Sequence, residues 1–205
     1  PNIIGIVLLN HGIFSFGSTA RESYETMIRL VKKAETKINC KYKKIRQAKT
    51  KLEDLDHIQA IGASMIRKGL MMNDASDNLP LVRFVDFDLS MNFIKENKNK
   101  RLSGYGVITP DHVIRIKSKW LFSKSLDINS KDSWLNSFSK ALQKYQKEYI
   151  NYFKKNNKHG LTILDTYPRL IFIENIGLYV LGFNEKEINI NQDLARANIA
   201  TQLLG

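Results

Sequence analysis

The residue whose type best suits chemistry in this chain is a histidine in a short glycine-containing turn. His11 lies in the stretch NHGIFSFGSTARESYE, between the apolar run GIVLL and a segment that alternates around Phe14 and Phe16. This pattern predicts a strand, a turn and a second strand, with the imidazole at the turn. Imidazole serves as a metal ligand and as a general acid or base. A turn histidine can also simply satisfy its own hydrogen bonds, and the residues alone leave both interpretations open.

The other three histidines have no neighbours at metal-ligand spacing. The sequence contains no H-x-H pair, and its one cysteine, Cys40, leaves no C-x-x-C motif and no internal disulfide. We interpret His57, on the polar side of a predicted helix, and His159, near a helix end, as surface residues. His112 in TPDHV is interpreted as a residue of an N-terminal helical turn rather than as a catalytic group. Any metal held by this chain must therefore use His, Asp or Glu ligands.

The composition is that of a globular protein. The 205 residues are 43% hydrophobic and 25% charged, which is typical of a soluble domain. No apolar run approaches the roughly 20 residues needed to cross a bilayer, and the N-terminal residues lack signal-peptide features. We therefore expect a cytoplasmic protein with no membrane partner. Because the chain begins without methionine and directly in a predicted strand, we also expect it to be a fragment of a longer protein.

The net charge of +12 suggests nucleic-acid binding as one function to consider. The basic residues are dispersed, however, and the densest block, KYKKIRQAKTK, contains one aromatic residue and continues a predicted helix. This pattern favours a solvated helix face. We therefore expect no nucleic-acid partner.

Hydrophobic periodicity predicts helices that alternate with strands along the chain. Thr19 and Glu22 have the spacing of a capping box, so the first helix is predicted to begin near Ser18. A second helix is predicted over 42–70, with Gly62 and Gly69 as candidate breaks. The further predicted helices span 89–96, 130–155 and 185 onward. The predicted strands are 81–88, the two segments flanking the Thr109–Asp111 turn, 161–164, 169–173 and 177–182.

Two segments align without a gap at a constant offset of 165 residues. IVLLNHGIFSFGSTARE and IFIENIGLYVLGFNEKE share five of 17 positions, and both are predicted to form a strand, an Asn-x-Gly turn, a strand and a helix. Gly12 and Gly177 occupy the turn, where a positive φ favours glycine. His11 is replaced by Ile176 in the second copy. A difference at this position favours a functional role for His11 over a structural one.

The stretch NHGIFSFGSTARESYETMIRLVKKAE resembles the C-terminal part of class II aldolase/adducin domains. In that family a zinc-ligating histidine lies in an N-H-G turn that is followed by a glycine and a helix. The resemblance implies that His11 is a metal ligand. It also implies an H-x-H pair and a glutamate acid/base from an earlier part of the domain, so the zinc site would be incomplete in this chain. Zinc in such enzymes polarises the carbonyl and enediolate oxygens of a ketose phosphate.

The segments GVITPDHVIRIK and PRLIFIENIGLYVLGFNEKE are similar to the middle of bifunctional proteins of the rhamnulose-1-phosphate aldolase/lactaldehyde dehydrogenase type. These proteins join a class II aldolase-like region to a short-chain dehydrogenase. The similarity implies a sugar-phosphate substrate for the parent protein. It implies NAD only for a dehydrogenase domain outside this chain, because no G-x-x-x-G-x-G loop is present.

The resemblance also implies a fold and a domain organisation. The expected fold is α/β, of α+β type, with the class II aldolase/adducin-like three-layer α/β/α arrangement and an antiparallel sheet between helices. Residues 1–70 are expected to be the C-terminal part of one aldolase-like module, and residues 71–205 a second, degenerate module. An exposed edge of the first hairpin would then pair with the second module or form a homo-oligomer.

A non-catalytic function is the alternative to an enzyme. The adducin branch of the same fold indicates that such a chain can be a non-catalytic interaction or oligomerisation module. Zinc binding that depends on His11 would distinguish the enzyme from this alternative.

Overall fold

The chain forms two sheets, each beside helices, in a computed structural model that describes residues 3–9, 11–41, 55–74, 78–98, 106–158 and 160–204. The strands in these ranges are β1 (Gly5–Leu8), β2 (Gly12–Ser15), β3 (Leu81–Val85), β4 (Leu121–Ser123), β5 (Leu170–Ile173) and β6 (Gly177–Gly182). The helices are α1 (Ala20–Lys41), α2 (Leu55–Asn73), α3 (Ser90–Lys98), α4 (Pro110–Ile116), α5 (Lys131–Asn156) and α6 (Glu185–Leu204).

The larger sheet has four strands in the order β3-β6-β5-β4. β6 is antiparallel to both β3 and β5, whereas the edge strand β4 runs parallel to β5. The parallel pair is possible because the long helix α5 connects β4 to β5 and returns the chain to the same end of the sheet. The sheet is therefore mixed, with an antiparallel centre.

Alternate side chains of this sheet face two separate helical layers. Ile171 and Ile173 pack in a core with α2 and α5, while Leu170 and Phe172 pack in a second core with α3, α4 and α6. This alternation follows from the two-residue period of a strand. The expected three-layer arrangement of helices, sheet and helices is confirmed.

Helix α2 runs unbroken through both glycines at which breaks were predicted. Gly62 and Gly69 are buried in the middle of α2. A Cβ on Gly62 would collide with the ring of Tyr179, and one on Gly69 would lie 2.5 Å from a ring carbon of Phe138. These glycines therefore permit close packing rather than end the helix.

Two predicted strands are wrong, and a third, predicted just before Thr109, is not formed by residues 106–108, while the rest of that segment lies outside the described residues. The segment after Thr109 forms helix α4, because Thr109 has an extended backbone at the N-cap and Pro110 suits the first helical position. Ile114 and Ile116 looked like the same face of a strand, but in the helix Ile114 is 67% exposed and Ile116 fully buried. Residues 161–164 form no strand, and β4 occupies the sheet edge beside β5.

The smaller sheet is the hairpin of β1 and β2, and α1 packs on it. The Ser15 hydroxyl in β2 donates a hydrogen bond to the Ser23 carbonyl in α1 at 2.8 Å. This hairpin forms its own sheet and does not extend the four-stranded one. The expectation that its edge pairs with the second module is therefore wrong for the described residues.

The two hairpins have the same register at the offset of 165 residues. Gly5 pairs with Ser15 in the first hairpin and Leu170 pairs with Val180 in the second, and each following pair is shifted by the same amount. Both hairpins continue into a helix, α1 or α6. The predicted strand-turn-strand-helix repeat is confirmed.

The helix starts of the two copies are capped in the same way. Glu22 accepts a hydrogen bond from the backbone N–H four residues before it at 2.7 Å, and Glu187 does so at 2.9 Å. The side chains of Thr19 and Asn184 accept from the backbone N–H groups of these glutamates at 3.2 and 2.9 Å. These bonds have the pattern of a capping box, and they satisfy backbone N–H groups at the start of each helix.

Candidate functional site

His11 lies on the tight turn between β1 and β2. Its backbone N–H donates a hydrogen bond to the Leu8 carbonyl at 3.2 Å, which closes the turn. Gly12 follows with a φ of 155°, and the matching Gly177 has a φ of 133°. The His11 ring is exposed and stacks on Phe14, with ring centroids 6.4 Å apart and planes 11° from parallel. The imidazole is thus accessible and oriented by an aromatic neighbour.

The described residues around His11 do not complete a zinc site. They contain no group of three or more His, Cys, Asp or Glu side chains able to hold a metal ion. A catalytic zinc needs about three protein ligands, so one imidazole is insufficient. His57 is exposed on α2, while Asn10 and His159 lie outside the described residues. His11 therefore fits zinc only as one member of a set completed from elsewhere.

His112 is held inside the second module, in the first turn of α4. Its Nδ1 lies 2.6 Å from the Thr109 hydroxyl, and its buried Nε2 has no hydrogen-bond partner in the described part of the chain. Burial lowers the pKa of His112, and the nearby charge of Asp111 opposes that effect only in part. The ring is therefore neutral near pH 7. The imidazole stabilises the first turn of α4 through its hydrogen bond with the Thr109 hydroxyl.

The residue that follows α4 is a buried lysine that sequence reasoning did not identify. Lys117 is 1% exposed and has a φ of 60°. Its ammonium donates to the Tyr167 carbonyl at 2.6 Å and to the Asp165 carbonyl, and lies 3.4 Å from an Asp165 carboxylate oxygen. It also lies 4.3 Å from the centre of the Tyr149 ring. Burial lowers the pKa of Lys117 to about 8, although the Asp165 charge acts in the opposite direction.

A buried arginine completes this charged cluster. The Arg169 guanidinium donates two hydrogen bonds to the Asp165 carboxylate, at 2.8 and 2.5 Å. Burial alone would raise the pKa of Asp165, but the Arg169 hydrogen bonds and the Lys117 charge hold it below its ordinary value. The three side chains attach the end of α4 to the segment that enters β5. Because every donor of the Lys117 ammonium is engaged, the cluster is suited to structure rather than to proton transfer.

A shallow depression adjoins this cluster on the surface. It is lined by the side of α5 that carries Tyr145, Tyr149 and Tyr152, together with Lys119 and Glu148. The Lys119 ammonium lies 3.7 Å from a Glu148 carboxylate oxygen across the opening. Burial raises the pKa of Tyr145, which therefore remains a neutral hydroxyl. The depression lies beside the four-stranded sheet, whereas His11 lies on the separate two-stranded hairpin.

The local sequence around Lys117, Asp165 and Arg169 does not predict that these side chains form a buried cluster. Lys117 alternates with isoleucines, which suggested an exposed strand position. Asp165 and Arg169 stand four residues apart around a tyrosine-proline pair, which gives no motif. Their partnership with Lys117 spans 48 residues and arises only when β4 and β5 pair.

The part of the chain that contains the four-stranded sheet and its helices matches a class II aldolase family. The family model "Aldolase class II, second domain" matches residues 57–203, which is most of the chain, and the chain belongs to this family. The match includes the second module but not the hairpin with His11. The expected relationship to class II aldolases is thereby confirmed at the level of the family.

One relative is an uncharacterized oxidoreductase, YuxG, of Bacillus subtilis (strain 168). It is 22% identical over 209 aligned residues, which cover 98% of this chain but 30% of the relative. This chain therefore spans less than a third of the length of that relative. No solved structure matches the chain significantly. Among the helices in the described ranges, none is long and apolar enough to cross a membrane.

Proposed function

We propose that this chain is part of a zinc-dependent sugar-phosphate aldolase and that His11 supplies one of the zinc ligands. The observation that carries the proposal is the position of His11. It lies on an exposed turn in the part of the chain that precedes the class II aldolase match at residues 57–203. Imidazole nitrogen is a preferred zinc ligand, and the open turn leaves room for further ligands from another part of the protein.

The second hairpin supports a special role for this histidine. The equivalent position holds Ile176, which is buried in the core with α2 and α5. The turn geometry therefore does not require an imidazole, because the same register and a positive φ at the following glycine occur with isoleucine. The presence of an imidazole in the first hairpin, where the turn is exposed, is consistent with ligand binding.

We further propose that the parent protein carries a short-chain dehydrogenase domain that binds NAD, outside this chain. The support is the oxidoreductase name of the relative and the large part of its length that this chain does not cover. The chain on its own would then have neither a complete zinc site nor a nucleotide site. A cytoplasmic location belongs to the same proposal, since a sugar-phosphate substrate is a cytoplasmic metabolite class.

Zinc titration of two chains tests the proposal. The first is the 205-residue chain, and the second is the chain extended at its N terminus through the upstream part of its reading frame. We expect one zinc per extended chain and none in the 205-residue chain. His11→Ala in the extended chain should abolish stoichiometric zinc binding. His57→Ala, which changes an exposed histidine of α2, is the matched control and should retain it. Full zinc binding by His11→Ala would refute the proposal.

The exposed hairpin favours a second candidate, a non-catalytic interaction module of adducin type. Large apolar side chains of β1 and β2 are exposed, as at an interaction surface. The two candidates differ in the zinc measurement. An interaction module would bind a partner with or without zinc and would be insensitive to His11→Ala.

A further inference from the structure

One face of α1 contacts the hairpin of β1 and β2. Ser15 in β2 bonds to Ser23, and a Cβ on Gly5 in β1 would lie 3.0 Å from the Leu30 side chain. Thr26, which lies between these two helical residues, is 6% exposed. Side chains three and four residues apart share one face of a helix, so Ser23, Thr26 and Leu30 define the inner face of α1.

The opposite face of α1 exposes large apolar side chains. Tyr24, Ile28 and Val31 are 67%, 50% and 41% exposed, and their spacing of four and three residues places them together. Glu35, which is also exposed, follows four residues later. We call these four residues the outer face of α1. Alternating steps of three and four residues are the pattern with which one helix packs along another.

The repeat allows α1 to be compared with α6, its counterpart at the offset of 165 residues. The inner faces of the two helices agree, because Asn191 and Ala195 at the equivalent positions of α6 are buried. The outer faces differ. The three apolar positions of α1 are polar in α6, where they hold Asn189, Asp193 and Arg196.

The polar outer face of α6 lies at the surface of the protein. Asn189 and Asp193 are exposed, and Asn189 accepts a hydrogen bond from Arg83 at 2.8 Å. Arg196 donates a hydrogen bond to the Asp86 carbonyl at 3.1 Å. The strand-turn-strand-helix unit therefore needs no apolar side chains at these positions for its own fold. An exposed apolar face at the same place on α1 indicates a contact with another protein surface.

We propose that the outer face of α1 is a dimer interface that packs antiparallel on the outer face of α1 in a second copy of the chain. In this two-fold arrangement Ile28 of each helix packs on Val31 of the other, and Tyr24 lies beside Glu35. The tyrosine hydroxyl donates to the carboxylate, so the charged residue of the outer face has a partner. The hairpin and His11 take no part in this interface.

Charge favours the antiparallel orientation over the parallel one. In a parallel pair of helices Glu35 would face its own copy, and like charges repel each other. Glu25 and Lys32 flank the outer face, each one residue after an apolar position. The antiparallel orientation brings Glu25 of one copy beside Lys32 of the other, and the two-fold symmetry forms this contact twice. Glu25 is exposed in its present pair with Arg21, so its carboxylate is accessible for the contact.

A second copy is the occupant because the outer face is complementary to itself. Apolar residues meet apolar residues, the tyrosine meets the glutamate of the outer face, and the flanking carboxylate meets the flanking ammonium. The four positions extend over about 17 Å of helix, which is a small contact. We therefore expect a reversible dimer with a dissociation constant on the order of 10 µM.

Sedimentation velocity of the 205-residue chain, at concentrations of about 1 to 500 µM, measures the dimer. Ile28→Glu places a carboxylate in the interface and should weaken dimerisation at least about 100-fold, because an unpaired charge resists burial. Ile114→Glu makes the same change at an exposed position of α4 and is the matched control, which should leave dimerisation unchanged. Both variants should keep the melting temperature of the dilute chain, because both isoleucines are exposed in the single chain.

Charge reversal tests the antiparallel orientation without changing an apolar residue. Glu25→Lys and Lys32→Glu each bring like charges together, and each should weaken dimerisation about 5-fold at low ionic strength. The double variant has the same net charge as the unsubstituted chain and should restore its dissociation constant. A parallel dimer would not be restored, because these two residues do not meet in that orientation.

Four results would overturn the inference. The chain could remain monomeric at about 500 µM. A dimer that Ile28→Glu does not weaken would use another surface, such as the hairpin. A lower melting temperature of dilute Ile28→Glu would mean that the outer face is covered within its own chain. Failure of the double charge reversal to restore the dimer would exclude the antiparallel orientation. Measurements in EDTA keep all of these results independent of zinc binding by His11.

Discussion

The hydroxyl of Tyr179 in β6 donates a hydrogen bond to the carbonyl of Gln59 in α2, at 2.9 Å. This bond crosses from the sheet to the helical layer at the point where Gly62 allows the tyrosine ring against the backbone of α2. The Tyr179 ring is also fixed by an edge-on contact with Phe84, with centroids 5.4 Å apart. The contact between α2 and β6 is therefore tight, and it holds α2 on the central part of the four-stranded sheet.

Gly62→Ala should destabilise the packing of α2 on the four-stranded sheet, although alanine is the better helix former. The gain in helix propensity is about 1 kcal/mol, whereas forcing a methyl group against a fixed ring costs about 1–3 kcal/mol. We expect a lower melting temperature in calorimetry. Ser64→Ala, at an exposed position of the same helix, is the control and should leave the melting temperature unchanged or raise it. An equal response of the two variants would contradict the packing role of Gly62.

The stability of the folded chain should rise with pH above about 8 because of Lys117. Its pKa of about 8 in the folded chain lies below the ordinary lysine value of 10.5, so between these pH values the unfolded chain binds more protons. Stability then increases with pH, by about 2 kcal/mol from pH 8 to 10. Urea unfolding at several pH values measures this slope.

The slope should disappear in Lys117→Met, which has no ammonium group to titrate. Lys119→Met, which removes an exposed neighbouring lysine, is the matched control and should keep the slope. The rise of stability with pH should end near pH 10. Burial raises the pKa of Tyr145, so ionisation of tyrosines favours the unfolded chain above that pH. A flat profile for the unsubstituted chain between pH 8 and 10 would disprove a buried charged Lys117.

Asp165→Asn should cost far more stability than the removal of an exposed ion pair. It leaves the buried groups of Arg169 and Lys117 without their carboxylate, and breaking a buried pair costs about 3–5 kcal/mol. The exposed pair of Arg21 and Glu25 also has a spacing of four residues, and Arg21→Gln should cost less than about 1 kcal/mol. Chemical unfolding of both variants gives the comparison, and similar losses would mean that burial of the cluster is unimportant.

The 205-residue chain alone should cleave no sugar phosphate, with or without added zinc. The described residues provide no cluster of three metal ligands, and about three are needed for a catalytic zinc. An assay for aldehyde release from ketose phosphates, with the metal varied, measures this. Zinc-dependent turnover by the purified chain would show that the site is complete without further protein.

Local sequence signals fixed the elements whose partners are close along the chain. The hairpins were predictable because an Asn-x-Gly turn and alternating apolar residues determine strand, turn and strand within about 12 residues. The start of α1 was predictable for the same reason, since the donors and acceptors of the capping box at Thr19 and Glu22 lie within four residues of one another. The α5 helix, with Trp134, Phe138 and Leu142 buried on one stripe, follows from its helical period.

The tertiary structure decided the features that depend on distant partners. The alternation of Ile114 and Ile116 predicted a strand after Thr109. The segment instead forms helix α4, in which residues two apart lie on different faces, and only Ile116 is buried in the core that contains α6. Whether Gly62 ends helix α2 or permits close packing depends on Tyr179, which lies 117 residues further along the chain. The burial of Lys117 depends on the segment before β5, and that burial, together with a smaller effect of the Arg169 charge, lowers its pKa.

The sequence by itself determined that the chain contains a repeated strand-turn-strand-helix unit and that His11 distinguishes the two copies. Only the tertiary structure decided that one copy is enclosed between helices while the other exposes its apolar face. The reason is physical. The pattern of each copy specifies its own hydrogen bonds and the alternation of its side chains, whereas burial of an apolar face requires strands and helices from elsewhere.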